Sequence, residues 1–472
     1  MTTTNLRIKN NNKIFNNKKI WIIFLALFLR LFSFKYLNEF IEQLPTFSTP
    51  WNNLKRLKEA VFLQKYGNNI YDGDLVHVLP IIIYTFKTSL EHPFLLKLQW
   101  TIFDIFCAYF IGKFVEEYIF KKCSYLGYSI ENSVEKSQSF EYIFKKCSYL
   151  GYSIENSVEK SQSFGLIAFS SYLLNPMTIG CWTISNLSSL INLFVSLILY
   201  YFNKDYLFIS IFTICLTIQL NPYYLLLLAP LILHFNQRKF SLIFIFVLSS
   251  SLFCCLNLYL EENWKDMFRN TFGFFLTVPD LTPNVGIFWY FFTQVFDHYR
   301  SLFLCVFQLN TILYVVPLTV LLRNNLSLLF SILLIVVALF SPYPSYAETS
   351  LYLPVLVAFI DLHKYLRQSL VTGCTILATF ILSPIMWSMW VHIGSGNANF
   401  FFAIVWVFAI AQVEDFKKKN KIFFKIQIFI AADLISSFLR AELVEDNGGE
   451  EEIEKRFEGI KLLNICPFTI SL

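Results

Sequence analysis

The sequence predicts an all-α polytopic integral membrane protein, on three observations. Of its 472 residues, 56% are hydrophobic and 15% are charged, whereas soluble domains carry about 25% charged residues. The 53 Phe and 25 Tyr supply more apolar surface than a water-exposed exterior could cover. Apolar runs close to the roughly 20 residues of a spanning helix recur along the chain. This composition excludes a disordered chain, and the net charge of +5 is too small to indicate nucleic acid as a partner.

The multi-spanning domain is predicted to occupy residues 20–440, with about 10–12 transmembrane helices. Several of these helices are expected to be broken, because some apolar runs are short or are separated only by proline, as at Leu220-Asn221-Pro222. Such breaks are tolerated at membrane depth where neighbouring helices satisfy the freed backbone groups. Further apolar runs near 398–412 and 422–439 predict the last spans.

The two ends of the chain are predicted to be polar. Residues 1–19 contain Arg and Lys but no acid, and positive charge beside the first span indicates a cytosolic N-terminus. The first apolar run contains Arg30 and is followed by no small-residue cleavage site, so we expect it to be a retained anchor. Residues 441–472 are predicted to form an acidic, solvated C-terminal tail.

A tandem duplication interrupts the domain, since residues 117–140 recur without a difference as residues 141–164. Solenoid repeats diverge and need several copies, so this is not a solenoid. Each copy has three Lys and three Glu, a neutral mixture that favours a solvated loop. Residues 117–164 are therefore predicted to be a loop without a functional role.

Few groups could support chemistry inside the membrane. Intramembrane ionisable residues are functional candidates, but those found here lie near predicted helix ends or beside polar neighbours, which favours snorkelling or a structural ion pair. They are Arg30, Asp104, Asp361 and Asp433. The ten Cys include no C-x-x-C pair, and the six His show no metal-binding spacing. We therefore predict no metal and no cofactor.

Two polar runs are the candidate functional segments. In the first, Pro279, Asp280, Pro283 and Asn284 predict a stiff surface loop. It leads into an aromatic helix with Trp289 and Tyr290, residue types that mark the membrane interface. In the second, Asn397 and Asn399 lie among small residues that leave the backbone accessible, and Phe400 and Phe401 follow. We predict lipid contact at these four residues, with the phenylalanines along acyl chains, and at Trp289 and Tyr290 of the first run at the headgroup level. The alternative interpretation of both runs is an ordinary interfacial turn.

These runs carry a resemblance to a known family. The chain resembles the U subunit of the glycosylphosphatidylinositol (GPI) transamidase, the phosphatidylinositol-glycan class U family, from about Ile20 to Arg440. The duplicated segment, an insert at Lys417–Lys425 and the acidic tail depart from the family pattern. The matching runs are TVPDLTPNVGIFWYFF, Cys305-Val306-Phe307-Gln308, Tyr172-Leu173-Leu174-Asn175-Pro176, Ser341-Pro342-Tyr343-Pro344 and Gly394 to Phe401.

The resemblance implies a multi-pass subunit in the endoplasmic reticulum membrane, within the complex that replaces a C-terminal signal peptide with a GPI lipid. It implies a non-catalytic subunit that binds or presents GPI. The implied partners are a cysteine-protease-like catalytic subunit K, subunits T and S, and a GPI-attachment protein 1 type subunit. The family's fold is similar to that of polytopic GT-C-like glycosyltransferases. Its asparagine motif matches Asn397 and Asn399, so the resemblance implies lipid contact there.

The glycosyltransferase kinship keeps one enzyme hypothesis open. A dolichol-phosphate-mannose-dependent mannosyltransferase of GPI biosynthesis would need an acidic pair in the first luminal loop, to bind a metal or to act as a base. The corresponding residues 47–56 contain amides and cations but no carboxylate. Asp72 and Asp74 follow later, in a turn where solvation or helix capping is the simpler interpretation. This enzyme is therefore the alternative, and a transporter has less support.

Overall fold

The backbone forms α-helices joined by short turns and by 3-10 and π segments. The computed structural model describes residues 2–73, 75–135, 154–261, 263–365 and 369–412, and this part contains no β-strand. In chain order the α-helices are α1 (Thr2–Glu42), α2 (Leu54–Lys65), α3 (Pro80–Glu91), α4 (Pro93–Glu135), α5 (Ile154–Leu173), α6 (Pro176–Thr183), α7 (Ser188–Asn203), α8 (Leu207–Leu220), α9 (Leu228–His234), α10 (Lys239–Leu260), α11 (Trp264–Phe268), α12 (Phe274–Thr277), α13 (Phe288–Gln294), α14 (Asp297–Leu321), α15 (Leu326–Phe340), α16 (Tyr346–Val355), α17 (Ser369–Ser388) and α18 (Ala398–Ala411).

The prediction of an all-α polytopic membrane protein is confirmed. Within the described ranges, five helical stretches are long and apolar enough to cross a membrane alone, and a bent pair raises this number to six. Six shorter apolar helices accompany them. The total of about 10–12 spans stays a prediction, and the run at 422–439 lies outside the described residues. The five long stretches are Phe15–Glu42, Pro93–Lys122, Asn236–Leu260, Asp297–Leu321 and Leu370–Ile393.

Helices α15 and α16 form the centre of the bundle. Helix α15 is apolar on every side, and nearly all of its side chains are buried, which is the pattern of a fully enclosed helix. Helix α16 packs against α5, α6, α7 and α15. Helices α4, α5 and α7 pack around this centre, and α1 lies against α5 and α6.

The chain divides into two units. The first comprises residues 1–358 and 383–406 and contains every helix pair and site residue discussed below. The second comprises residues 359–382 and 407–472, and its described part consists of helical segments and one turn. Asp361 lies in this second unit, while the predicted acidic tail 441–472 and Asp433 lie outside the described residues.

The break between α5 and α6 confirms that proline interrupts a span. The two helices meet at 44°, because Pro176 has no N–H to continue the hydrogen-bond ladder. Asn175 caps the new helix, since its side chain accepts a hydrogen bond from Met177 N at 3.0 Å. Because Met177 N is taken by this cap, the Leu173 carbonyl oxygen lacks its usual backbone donor, and it accepts a hydrogen bond from Arg30 Nη1 at 2.9 Å. A charged side chain thus replaces the missing backbone donor.

Arg30 and Asp104 form the structural ion pair that was predicted as one alternative. Arg30 Nε and Nη2 donate to Asp104 Oδ2 at 3.2 and 2.9 Å, and Arg30 Nη1 also reaches the carbonyl oxygen of Ala26 at 3.3 Å. The two side chains are 2% and 1% exposed. The pair therefore joins α1 to α4 inside the bundle, while Leu173 connects it to the end of α5.

The loop prediction for residues 117–164 is wrong at both of its ends. Residues 117–135 continue α4, and residues 154–164 begin α5. The first copy is anchored, because Lys121 Nζ donates to the backbone oxygen of Asn203 at 2.5 Å and Glu117 pairs with Lys204 at 3.1 Å. A neutral mixture of Lys and Glu is as compatible with a solvated helix as with a loop, so charge alone could not distinguish them.

We expect deletion of residues 141–164 to preserve membrane insertion and assembly. The two copies are identical, so the remaining copy keeps Glu117 and Lys121 in α4, and its residues 130–140, identical to residues 154–164, supply the start of α5 once α4 ends before residue 130. Blue-native electrophoresis of the membrane extract would measure assembly. Normal expression with loss of the assembled species would contradict this prediction and assign a partner contact to the second copy.

We expect Asp104→Leu to destabilise the chain strongly, by about 3–5 kcal/mol, because it leaves the Arg30 cation buried without its partner. The double variant Arg30→Met with Asp104→Leu should be less destabilised than the sum of the single variants. Thermal unfolding of the solubilised protein would measure this difference. Lys55→Met is the control, since its pair with Glu42 is exposed and should contribute less than about 1 kcal/mol. Additive losses would contradict the proposed coupling.

Candidate lipid-binding surface

The loop between α12 and α13 is held by hydrogen bonds of the Asn284 side chain. Asn284 Oδ1 accepts a hydrogen bond from Gly286 N at 2.7 Å, and Asn284 Nδ2 donates to the Pro342 carbonyl oxygen at 3.3 Å. Asn284 is 1% exposed, whereas Pro279 is exposed and Pro283 half-buried. Asn284, one of the predicted turn residues, therefore fixes the loop to the turn at residues 341–345.

The start of this loop is strained. Val278 ends α12 with φ 47° and ψ 58°, the left-handed region that a β-branched residue rarely adopts. Arg300 Nη2 donates to the Val278 carbonyl oxygen at 2.7 Å, and Val278 N donates to Phe274 O at 3.0 Å. These two hydrogen bonds hold Val278 on both sides and offset the strain of its backbone conformation.

Asp280 connects the loop to α2. Its Oδ1 accepts hydrogen bonds from Thr282 N and Oγ1 at 2.9 and 2.8 Å, and its Oδ2 pairs with Arg56 Nη2 at 2.9 Å. Partial burial alone would raise the pKa of the carboxyl group. The hydrogen bonds from Thr282 and Arg56, with the Arg56 charge, outweigh burial and lower the pKa below its ordinary value. Asp280 is therefore ionised at neutral pH.

The second polar run forms a tight turn before α18. Gly394 ends the preceding π segment at φ 73°, a conformation open to glycine, and Gly396 N donates to Met389 O at 3.0 Å. Asn397 then caps α18, because its Oδ1 accepts a hydrogen bond from Asn399 N at 3.0 Å. Asn397, Asn399 and Phe400 are exposed.

The structure brings the two runs together, although more than 100 residues separate them in sequence. Tyr290 Oη donates a hydrogen bond to Asn399 Oδ1 at 2.7 Å, with a sequence separation of 109. The Tyr290 ring stacks on Phe402, with 3.8 Å between ring centroids and 9° between planes. We use the name aromatic–amide surface for Tyr290, Asn397, Asn399, Phe400 and Phe402.

Two of the predicted lipid-contact residues lie beneath this surface. Trp289 is 3% exposed and Phe401 is 0% exposed, and they belong to one buried cluster with Val405. Trp289 Nε1 donates to Asn284 O at 3.1 Å, which connects the cluster to the loop. The expectation that Phe401 lies along acyl chains is therefore wrong for this structure. Trp289 and Phe401 instead support the residues that are accessible.

The chemistry of the surface follows from which amide atoms are already used. The Oδ1 atoms of Asn397 and Asn399 both accept hydrogen bonds from the protein. Neither side-chain NH2 group donates to any residue in the described ranges, so both are available to a ligand. An NH2 group can donate two hydrogen bonds. The surface therefore offers donors for phosphate or sugar oxygens, next to the exposed ring of Phe400.

The loop that follows α1 has a packing role. Trp51 Nε1 donates to the Tyr343 carbonyl oxygen at 3.3 Å, and Asn52 Nδ2 donates to Ser188 Oγ at 3.1 Å. Both side chains are 1% exposed. Asp72 is exposed in a later turn, and Asp74 lies outside the described residues. Across the described ranges, no group of three His, Cys, Asp or Glu side chains could hold a metal ion.

Arg56 and Arg300 were not identified from the sequence. Both arginines contact the loop at residues two positions apart, Asp280 and Val278. Arg56 lies on α2 among other charged residues, and Arg300 lies in the first turn of a long apolar helix. No local signal in the sequence indicates that these two side chains reach the same loop.

Comparison with known proteins identifies relatives over most of the chain. The sequence profile of a family described as GPI transamidase subunit PIG-U matches residues 21–408. The GPI-anchor transamidase component PIGU of Homo sapiens is 27% identical over 427 residues, which cover 87% of this chain and 91% of the relative. The GPI transamidase component GAB1 of Saccharomyces cerevisiae is 26% identical over 386 residues, which cover 80% and 86%. Neither relative is named as a mannosyltransferase, so that alternative is not supported.

We expect Asp280→Asn to loosen the loop by about 1 kcal/mol, because a half-buried ion pair with Arg56 is lost. The lowered pKa of Asp280 means that its stabilisation is complete above the ordinary aspartate pKa of about 3.9 and is lost only as pH falls through the folded value. The difference in thermal midpoint between wild type and variant should therefore be constant between about pH 5 and 8. Asp72→Asn is the control. A difference that shrinks across this range would contradict the assignment.

Proposed function

Since this chain belongs to the PIG-U family of GPI transamidase subunits, we propose that it is a non-catalytic subunit of the GPI transamidase complex that binds the GPI lipid and presents it for attachment to proteins. The observation that carries this proposal is the aromatic–amide surface. There the Tyr290–Asn399 hydrogen bond joins two distant polar runs into one accessible patch.

The composition of the surface fits the chemistry of a glycolipid. GPI carries phosphate groups, sugar hydroxyls and hydrocarbon chains. The NH2 groups of Asn397 and Asn399 can donate to phosphate or sugar oxygens, and neutral amides do this without the penalty of burying a charge. The exposed ring of Phe400 can lie against hydrocarbon. Trp289 and Phe401 contribute from below by fixing the positions of Tyr290 and Phe402.

The proposed contribution to the reaction is proximity. In this scheme a separate cysteine-protease-like subunit forms a thioester with the substrate protein, and the amine of GPI attacks that thioester. A subunit that holds GPI beside the thioester converts a bimolecular encounter into an effectively unimolecular step. No acid or base on this chain is required. The packing roles of Trp51 and Asn52 support this view, because they occupy the loop where a related glycosyltransferase would place its acidic pair.

The setting of the complex is part of the same proposal. We place the chain in the endoplasmic reticulum membrane, beside the catalytic subunit K, subunits T and S and a GPI-attachment protein 1 type subunit. The names of the relatives support membership of the transamidase complex. The family resemblance supports these particular partners, and the apolar helices support the membrane location.

We expect the double variant Asn397→Asp with Asn399→Asp to lose GPI attachment while the complex still assembles. Aspartate keeps the oxygen atoms that cap α18 and accept from Tyr290, but it removes both NH2 groups. A hydrogen bond to a charged group contributes about 1.5–3 kcal/mol, so each lost bond should weaken lipid binding roughly 10- to 100-fold. Surface display of a GPI-anchored reporter at limiting lipid would measure the loss.

Ser395→Asp is the matched control, since it adds a negative charge to the same exposed turn without removing an amide donor. It should reduce attachment much less than the double variant. Tyr290→Phe tests the support, because it removes the hydroxyl that orients Asn399 and keeps both NH2 groups. Its effect should be intermediate. Wild-type attachment by the double variant would show that the two asparagines form only a turn.

A further inference from the structure

A cavity lies between helices of the N-terminal part of the chain, and it shares no residue with the aromatic–amide surface. Its volume is about 320 Å³, within the range of small-molecule sites. Its walls come from the N-terminal part of α1, from α4 and from the start of α5. The lining residues are Phe15, Asn16, Lys19, Lys113, Glu116 and Gln162.

The wall between α4 and α5 is rigid, because the two backbones touch beside the cavity. A Cβ atom on Gly112 would lie 2.9 Å from the carbonyl oxygen of Gly165, and one on Gly165 would lie 2.8 Å from that of Gly112. Gly112 directly precedes Lys113, and Gly165 follows Gln162 by three positions. The side chains that line the cavity therefore start from a fixed backbone.

The cavity carries one net positive charge, since Lys19 and Lys113 face a single carboxylate. Lys113 Nζ pairs with Glu116 Oε2 at 2.9 Å, and the Glu116 charge also attracts Lys19. Lys19 Nζ lies 5.9 Å from the centre of the Phe169 ring. It makes no hydrogen bond or ion pair with any residue in the part of the chain that the structure describes. A half-buried ammonium group without an acceptor favours binding of an anion.

The location indicates which anion this is. Lys19 is the last residue of the basic segment before the first apolar run, the position that the positive-inside rule assigns to the cytosolic leaflet. Anionic phospholipids concentrate there, and basic pockets between transmembrane helices bind their headgroups. We propose that this cavity binds the phosphate headgroup of an anionic phospholipid, with Lys19 as its counter-ion and the Asn16 amide as an additional donor. This site is separate from the one proposed for GPI.

The test uses the complex purified from native membranes and placed in phosphatidylcholine nanodiscs with a minor fraction of phosphatidylinositol 4-phosphate. Native mass spectrometry counts the retained phosphoinositide molecules. Lys19→Gln should lower retention roughly tenfold through loss of one charge-assisted hydrogen bond, and Lys19→Arg should retain the lipid. The matched control is Lys18→Gln, which removes the same charge from the adjacent, exposed residue outside the cavity.

Equal lipid retention by Lys19→Gln and Lys18→Gln would overturn the proposal. The cavity would then contribute nothing beyond the general positive charge near the membrane. Soluble inositol phosphate and inorganic phosphate form a second arm. If these bind to the wild type without any enrichment of the lipid, the cavity is a site for a soluble anion, and the lipid proposal is wrong. GPI attachment to the reporter is measured in parallel. If the phospholipid proposal is wrong, the proposed GPI function still stands, because the two are tested by separate measurements.

Discussion

The ion pair of Arg30 and Asp104 is the interaction on which the joining of α1, α4 and α5 depends. A buried charge is stable only when it is paired and its remaining donors are satisfied, and Arg30 meets this condition through contacts on α1, α4 and α5. Its bond to Leu173 also permits the break before Pro176, because the carbonyl group freed there has a donor. The bend between α5 and α6 and the position of α1 therefore depend on the same side chain, Arg30.

The fold class and the broken spans could be predicted, because composition and proline position act locally along the chain. The identity of the Arg30 partner could not, since Asp104 is 74 residues away and the choice among acids is made by packing. The loop prediction for the duplicated segment was wrong for a different reason. Its charge pattern is compatible with solvent exposure in either a loop or a helix, and contacts of Glu117 and Lys121 with the end of α7 favour the helix.

The candidate site shows a similar division. The turn residues and the two asparagines were identified from their local chemistry, and Tyr290 from its place in the aromatic run. The separate roles of the three consecutive phenylalanines 400–402 could not be predicted from the sequence. Successive helical side chains point about 100° apart, so Phe400 faces outward, Phe401 enters the buried cluster and Phe402 stacks on Tyr290. A run of identical residues thus serves three environments, which only the packed helix distinguishes.

The use of both asparagine oxygens by the protein makes the aromatic–amide surface one-sided in its polarity. It presents two free NH2 groups to a ligand, whereas each asparagine oxygen already accepts one hydrogen bond and has a single lone pair left. If GPI binds here as we propose, its anionic oxygens turn toward the asparagines and its ammonium group turns away. The amine that must act as the nucleophile is then left unbound and accessible to an electrophile on a neighbouring chain.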